Sequence, residues 1–224
     1  ERVVAWFVPS DAILQQTYER LNDPRHPYRV MLERAAGHRV RVVNKEDALF
    51  GEGITPPEVE GQLTVFVLSV QSFAANSKEG RRVYRENGNL LSWEKYYTAE
   101  TSRVEESDET GLIQVLAHLR PVVVIDESHN FYAELREEVM RQLHPRFILN
   151  LTATPRQESN IISSVDALQL KEAEMVKLPV VVYNFLQEDE VVQAAVVYQR
   201  NLERRAKEAE RERGAEYVRP IVLL

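Results

Sequence analysis

The nine residues Val122–Asn130 (VVVIDESHN) place two carboxylates directly after a short apolar run. Such a run, rich in β-branched residues, predicts a strand that is buried on both faces, as in a parallel sheet. Asp126 and Glu127 would then lie at the carboxyl end of that strand. Because open α/β sheets bind ligands at this edge, two acids there suit divalent-metal and phosphate chemistry. An ordinary strand, followed by a helix that Asp or Ser caps, is the alternative.

Further apolar segments predict a sheet of about six strands. The other predicted strands before residue 188 are Val3–Val8, Arg39–Val43, Thr64–Val70, Arg146–Arg156 and Leu178–Phe185. Helical patterns separate them, and this alternation indicates βαβ units. The sequence therefore predicts an α/β fold with a parallel sheet flanked by helices.

The predicted helices are less uniform than the strands. Two are expected between Ala12 and Ala36, and one each at Gly111–Leu119 and Tyr132–Leu143, whereas glycines and prolines at 51–57 predict a loop. Residues 74–110 show no clear pattern. Their aromatic cluster, Trp93–Tyr97, favours packing against the domain, with stacking on nucleic-acid bases as the alternative.

A long amphipathic helix is predicted at 188–213, with a narrow apolar stripe and charged residues between. Two interpretations are open, a connector between two domains and a cover for one sheet edge. Tyr217–Leu224 predicts the start of another strand. We therefore expect a first domain at 1–186, a connector at 187–216 and the first strand of a second domain at 217–224.

Composition excludes several classes of protein. The chain has no cysteine, which excludes disulfide scaffolds, thiolate zinc sites and cysteine nucleophiles. The formal net charge of −7 argues against coating nucleic acid by bulk charge, although a local basic stripe remains open. No apolar run approaches the ~20 residues that span a bilayer. We expect a soluble, cytoplasmic protein with no membrane partner.

Two motifs, Asp126–Asn130 (DESHN) and Leu151–Pro155 (LTATP), resemble motifs II and III of the superfamily 2 DExH helicases and translocases. Phe7–Thr17, Ser69–Phe73 and Met175–Val182 resemble the restriction subunit of type III restriction-modification enzymes. The resemblance implies a RecA-like domain of the P-loop NTPase type. It further implies a motor that couples ATP hydrolysis to movement on double-stranded DNA, with a methyltransferase subunit as a partner.

The resemblance also assigns roles at the nucleotide. Asp126 would hold Mg²⁺ through a water, and Glu127 would orient or activate the attacking water. His129 would link the nucleotide site to the second domain, unless it is only a first-turn helix residue in a cap. Thr152 and Thr154 match the coupling motif, although they would otherwise be ordinary β-formers at a strand end.

Two further motifs would contact nucleic acid. Pro9, Ser10 and Asp11 match a motif in which backbone N–H groups and a hydroxyl meet a phosphate. An aspartate there repels phosphate, so we expect Asp11 to cap the helix. Gln71 and Ser72, which follow Ser69, match a second motif of this kind. Both sequences are also common helix caps.

The phosphate-cradling loop G-x-x-x-x-G-K-[ST] does not occur in these 224 residues. In the family this loop precedes the motif at Pro9. We therefore expect a piece of a longer protein that, by itself, neither binds ATP tightly nor hydrolyses it. Because the strand that carries the loop is central in such sheets, its removal would expose apolar strand edges.

Three other functions stay open. One is a DExH helicase that acts on RNA or in DNA repair, and another is a non-catalytic nucleic-acid-binding or interaction module derived from such a helicase. The third, a metal-dependent nuclease centred on Asp126 and Glu127, is disfavoured because no further acid and lysine accompany them.

Overall fold

A computed structural model describes residues 2–73, 78–101, 103–127, 133–155, 159–173, 175, 188–214, 216–217 and 219–221. The chain divides into two compact units, Glu1–Asn160 and Ile161–Leu224. The strands of the first unit are β1 (Val3–Val8), β2 (Val40–Val43), β3 (Leu63–Ser69), β4 (Val122–Asp126) and β5 (Phe147–Leu151). Its α-helices are α1 (Asp11–Asn22), α2 (Pro27–Ala35), α3 (Lys45–Phe50), α4 (Pro56–Glu60), α5 (Lys78–Tyr84), α6 (Leu112–Leu119) and α7 (Ala133–Leu143). Two 3-10 helices cover Val70–Phe73 and Gly88–Tyr96.

The described strands all run parallel, in the order β2-β3-β1-β4-β5. Val8 of β1 lies level with Ser69 of β3, and Asp126 of β4 lies level with Leu151 of β5. Because β1 and β4 are also paired in register, the carboxyl ends of these four strands meet at one edge. The predicted α/β class is confirmed, and this edge carries those predicted site residues that the structure describes.

The sheet is covered on both faces. Alternate residues of β1 point to opposite sides, so that Ala5 and Phe7 enter the core formed with α6 and α7, while Val8 enters the core formed with α1. Ala5, Phe7 and Val8 have no exposed surface. Burial on both sides explains why this strand reads as an unbroken apolar run.

The predicted loop at 51–57 is wrong in part, because the chain forms short helices on both sides of it. Asn44 caps α3 by accepting a hydrogen bond from the N–H of Asp47 at 2.7 Å. Gly51 ends α3 in the left-handed conformation, with φ of 73°. Thr55 and Glu58 form a capping box at the start of α4. The glycine and prolines that predicted a loop here mark helix ends, because Gly51 closes α3 and Pro56 is the first residue of α4.

The aromatic cluster at 93–97 packs against its own domain. Trp93 is 1% exposed, and its indole N–H donates to the carbonyl of Ile54 at 2.8 Å. Asn87 and Asn89 donate to the carbonyls of Leu49 and Phe50, so the segment is held to the end of α3. The packing interpretation is confirmed for Trp93, whose ring is not accessible to a base.

β5 differs from the other strands because both of its faces are open. Phe147 is 53% exposed, Ile148 39% and Leu151 38%. It is the outermost described strand on this side of the sheet. The predicted strand Leu178–Phe185 lies outside the described residues, so the described sheet has five strands where about six were predicted.

In the second unit, α8 (Ala167–Glu172) precedes α9 (Glu188–Arg213), whose bounds match the predicted long helix. Gln199 of α9 donates to the carbonyl of Pro220 at 3.1 Å. The described positions 217 and 219–221 have irregular backbone where a strand was predicted, and Pro220 has no N–H to offer a ladder. The division into a first domain, connector and second domain stays a prediction. None of the described helices has the length and apolar character to cross a bilayer.

Candidate functional site

The acidic pair lies where β4 leaves the sheet. Asp126 is the last residue of β4, and Glu127 follows it; both are half-buried. Glu127 has φ of 48°, in the left-handed region that non-glycine residues rarely adopt. Arg120 has a similar φ, but there it ends a helix, where this conformation is common. Such backbone conformations occur in turns and also cluster at ligand sites.

The family resemblance predicted His129 as the third member of this group. His129 lies outside the described residues, together with the neighbouring positions 128 and 130–132. Its assignment stays a prediction. The structure places Asp126 and Glu127, the first two residues of the motif, at the end of β4.

Thr152 and Thr154 follow β5, which ends at Leu151, five residues before the predicted strand end at Arg156. The hydroxyl of Thr152 accepts a hydrogen bond from the N–H of Thr154 at 3.1 Å. This local bond gives the backbone an alternative to the sheet ladder. The two threonines therefore form a turn at the carboxyl edge, and they are not strand residues, which was the alternative to a coupling role.

Pro9 and Ser10 follow β1 in the same way. Ser10 is the N-cap of α1, and its hydroxyl oxygen accepts from the N–H of Ile13 at 3.4 Å. The expected cap was Asp11, which is wrong: Asp11 occupies the first helical position, and its carboxylate accepts a hydrogen bond from Lys45 at 3.1 Å. Ser10 is exposed, and its hydroxyl can still donate to an anion.

The residues after β3 differ in their exposure. Ser69 is 5% exposed, and its hydroxyl donates to the side-chain oxygen of Gln71 at 2.6 Å. Gln71 is exposed, whereas Ser72 is 2% exposed. Both stay predicted nucleic-acid contacts, and Gln71 is the one that solvent reaches.

Lys45, the first residue of α3, was not among the predicted site residues. Its side chain is 9% exposed and pairs with Asp11, 34 residues earlier. One signal was present in the sequence, since a lysine in the first turn of a helix opposes the helix dipole and suggests a tertiary partner. The carboxyl edge thus carries a cation as well as two acids and several hydroxyl groups.

The acidic pair can be tested for its fit to Mg²⁺. Magnesium bound with a nucleotide takes one or two protein carboxylates and completes an octahedron with water and phosphate oxygens. Asp126 and Glu127 supply oxygen donors of that kind. Within the described ranges no three acidic or histidine side chains gather into a closed metal cage. The residues fit a metal that arrives with its phosphate ligand, and Asp126 is the residue that would hold it.

A parallel α/β sheet with helices on both faces and acids at the carboxyl end of an inner strand fits the RecA-like class, as it fits other open α/β folds. The family model for the type III restriction enzyme res subunit matches residues 1–157. The chain therefore belongs to this family of helicase-like proteins. The motifs at Asp126 and Leu151 predicted the superfamily, and the segments that begin at Phe7, Ser69 and Met175 predicted the family. No curated protein matches the chain significantly.

Proposed function

We propose that the chain is part of an ATP-dependent DNA translocase motor, the restriction subunit of a type III restriction endonuclease. One observation carries the proposal: the acids at the end of β4, the threonine turn after β5 and the helix cap after β1 lie at one edge of the sheet. Ligands of open α/β sheets bind at such an edge. The family supports an ATP-binding, helicase-like domain.

At the nucleotide, this chain would supply a metal ligand and a carboxylate that acts on the attacking water. Mg²⁺ bound by Asp126 would neutralise charge on the phosphate oxygens. Glu127 would orient the attacking water and accept its proton, which is the task of a carboxylate within hydrogen-bond reach of that water. The left-handed backbone conformation of Glu127 restricts the position of its carboxylate. The turn at Thr152 and Thr154 adjoins the acids through the pairing of Asp126 with Leu151, and would report the nucleotide state.

At the nucleic acid, α1 and the end of β3 would contact the backbone of double-stranded DNA. The free N–H groups in the first turn of α1 and the hydroxyl of Ser10 suit a phosphate, and Gln71 offers an exposed amide. Such contacts are independent of sequence. We therefore propose that a methyltransferase subunit provides site recognition for the assembled enzyme.

The exposed strand β5 is relevant to the position of the phosphate-cradling loop, whose motif does not occur in these 224 residues. Phe147 and Ile148 of β5 are exposed, whereas the other strands of the parallel sheet are largely buried. A further parallel strand beside β5 would cover this edge. We propose that the strand and loop that cradle the phosphates pair there and come from outside these 224 residues. The chain by itself then neither binds ATP tightly nor turns it over.

The test is DNA-stimulated ATP hydrolysis by a res-family protein that contains both this chain and the phosphate loop. Glu127→Gln should lower turnover by about 10²–10⁴-fold, as expected for loss of a general base, while ATP binding persists. Glu60→Gln is the matched control, because it makes the same charge change in an exposed residue before β3, at the opposite edge.

Two results would contradict the proposal. Equal turnover in both variants would remove Glu127 from the chemistry. No turnover in the well-folded intact protein would favour the non-catalytic binding module. Competition between DNA and RNA duplexes for stimulation separates the DNA motor from a helicase that acts on RNA. Turnover of Mg-ATP by the 224 residues alone would contradict the assignment of the loop to another segment.

A further inference from the structure

Lys45 is a buried cation at the edge where the proposed DNA contacts lie. Its side chain is 9% exposed, and its ammonium nitrogen lies 3.1 Å from one carboxylate oxygen of Asp11 and 3.9 Å from one of Glu46. Asp11 and Glu46 remain 79% and 62% exposed. The ammonium is thus enclosed by the protein, while the two carboxylates that it faces are open to solvent.

The local helix does not favour this position for a lysine. Lys45 is the first residue of α3, where the helix dipole disfavours a positive charge, and lysines are rarely buried unless they are paired. The partner comes from α1, which begins beside the proposed DNA contact at Ser10. The pairing with Asp11 offsets the unfavourable position of this charge in α3.

Asp11 poses a problem for a phosphate site. It follows Ser10 directly, and an exposed carboxylate at that place repels a phosphate that approaches the hydroxyl and the free N–H groups of α1. An ammonium at 3.1 Å forms a nearly neutral pair with it. The same pairing ties the first turn of α1 to α3.

We propose that Lys45 is a positioning residue that makes the start of α1 acceptable to a DNA phosphate by neutralising Asp11. This inference rests on the proposed DNA contact at Ser10. Lys45 acts through Asp11 and does not itself bind the phosphate, because an ammonium that is nine-tenths buried and already holds a carboxylate is not presented to a ligand.

The test is a set of single and double substitutions that remove the charges of Lys45 and Asp11. DNA binding is measured by fluorescence anisotropy with a short labelled duplex of mixed sequence and the 224-residue protein. Lys45→Met keeps the length of the side chain and removes its charge. We expect it to weaken binding about tenfold at low salt, because Asp11 is left uncompensated. Adding Asp11→Asn should restore binding to within about threefold of the original protein; the remaining difference reflects Glu46.

The restored double variant is the decisive result, since it lacks the ion pair altogether. If Lys45 were only a structural anchor, the double variant would stay as weak as Lys45→Met. If Lys45 bound the phosphate itself, the salt dependence of the double variant would stay as low as that of Lys45→Met, because the contact is absent from both. Either result would overturn the proposal. Thermal unfolding of each variant shows whether the folded fraction contributes. Salt titrations add a second readout, because the loss of a phosphate contact lowers the slope of log K against log[salt] and neutralisation of Asp11 restores it.

A second pair of variants separates this inference from the proposed function. Ser10→Asn and Ser10→Asp both keep a side chain that can cap α1, but only the second adds a negative charge. If Ser10→Asp weakens DNA binding and Lys45→Met does not, the DNA contact stands and the role of Lys45 fails. If neither Ser10 variant changes binding, α1 does not contact DNA, and both proposals at this helix fall together.

Discussion

Two regions of the molecule are rich in hydroxyl, amide and aromatic side chains, yet they differ in what those groups bind. The segment at 87–118 directs them inward, as in the bond from Trp93 to the Ile54 carbonyl and from the Asn87 N–H to the hydroxyl of Thr110. At the carboxyl edge of the sheet, Ser10 and Thr154 instead form local turns that solvent reaches. Residue type alone therefore does not identify a site; the partners of the polar groups do.

The strongest test of this contrast is Trp93→Ala. The indole is 1% exposed and holds the segment to the loop after α3, so its removal should lower the free energy of unfolding by about 3–5 kcal/mol. Urea denaturation monitored by circular dichroism measures the change. Tyr96→Ala in the same 3-10 helix is the control, since Tyr96 is 39% exposed and should cost much less. Equal losses would show that burial does not set the energetics of this segment.

A smaller effect is expected from Thr110→Val, which keeps the shape of the side chain and removes its hydroxyl. Thr110 is 2% exposed and accepts a hydrogen bond from the N–H of Asn87 at 3.2 Å. The variant leaves that N–H without its partner, and the free energy of unfolding should fall by about 1–3 kcal/mol. Hydrogen exchange at Asn87 should accelerate. Unchanged protection there would mean that the bond does not hold the segment.

Contacts between residues far apart in the chain also limit what the sequence could predict. An apolar run predicted β1, helical periodicity predicted α9 and the motif at Asp126 predicted the acidic edge, because all three are local signals. The α3 and α4 helices were missed although Asn44 and Thr55 were present as caps, since glycine and proline weighed more. The pair of Lys45 with Asp11 joins residues 34 positions apart, and no local pattern contains such a contact.

The buried segment should also make the protein sensitive to acid through His118, whose ring lies 5.2 Å from that of Tyr97 and 5.9 Å from that of Trp93. Burial lowers the pKa of His118. The unfolded chain therefore binds the proton more readily than the folded protein, and stability is lost as pH falls below the ordinary value of about 6.5. Unfolding midpoints from neutral pH downward should fall less steeply in His118→Phe, which keeps an aromatic ring. Parallel curves would contradict this prediction.

The smallest effect is expected at the carboxyl edge, from Thr154→Val, which makes the same chemical change as Thr110→Val. Thr154 is exposed, and its N–H still donates to the hydroxyl of Thr152 after the substitution. The free energy of unfolding should stay within about 0.5 kcal/mol of the original value.

If Thr154 has the proposed coupling role, the same variant in the intact motor lowers DNA-stimulated turnover while stability is unchanged. A stability loss equal to that of Thr110→Val would show that this edge is built like the buried segment, and the contrast between the two regions would fail. Loss of turnover at unchanged stability would instead show that a hydroxyl not needed for folding is needed for the motor.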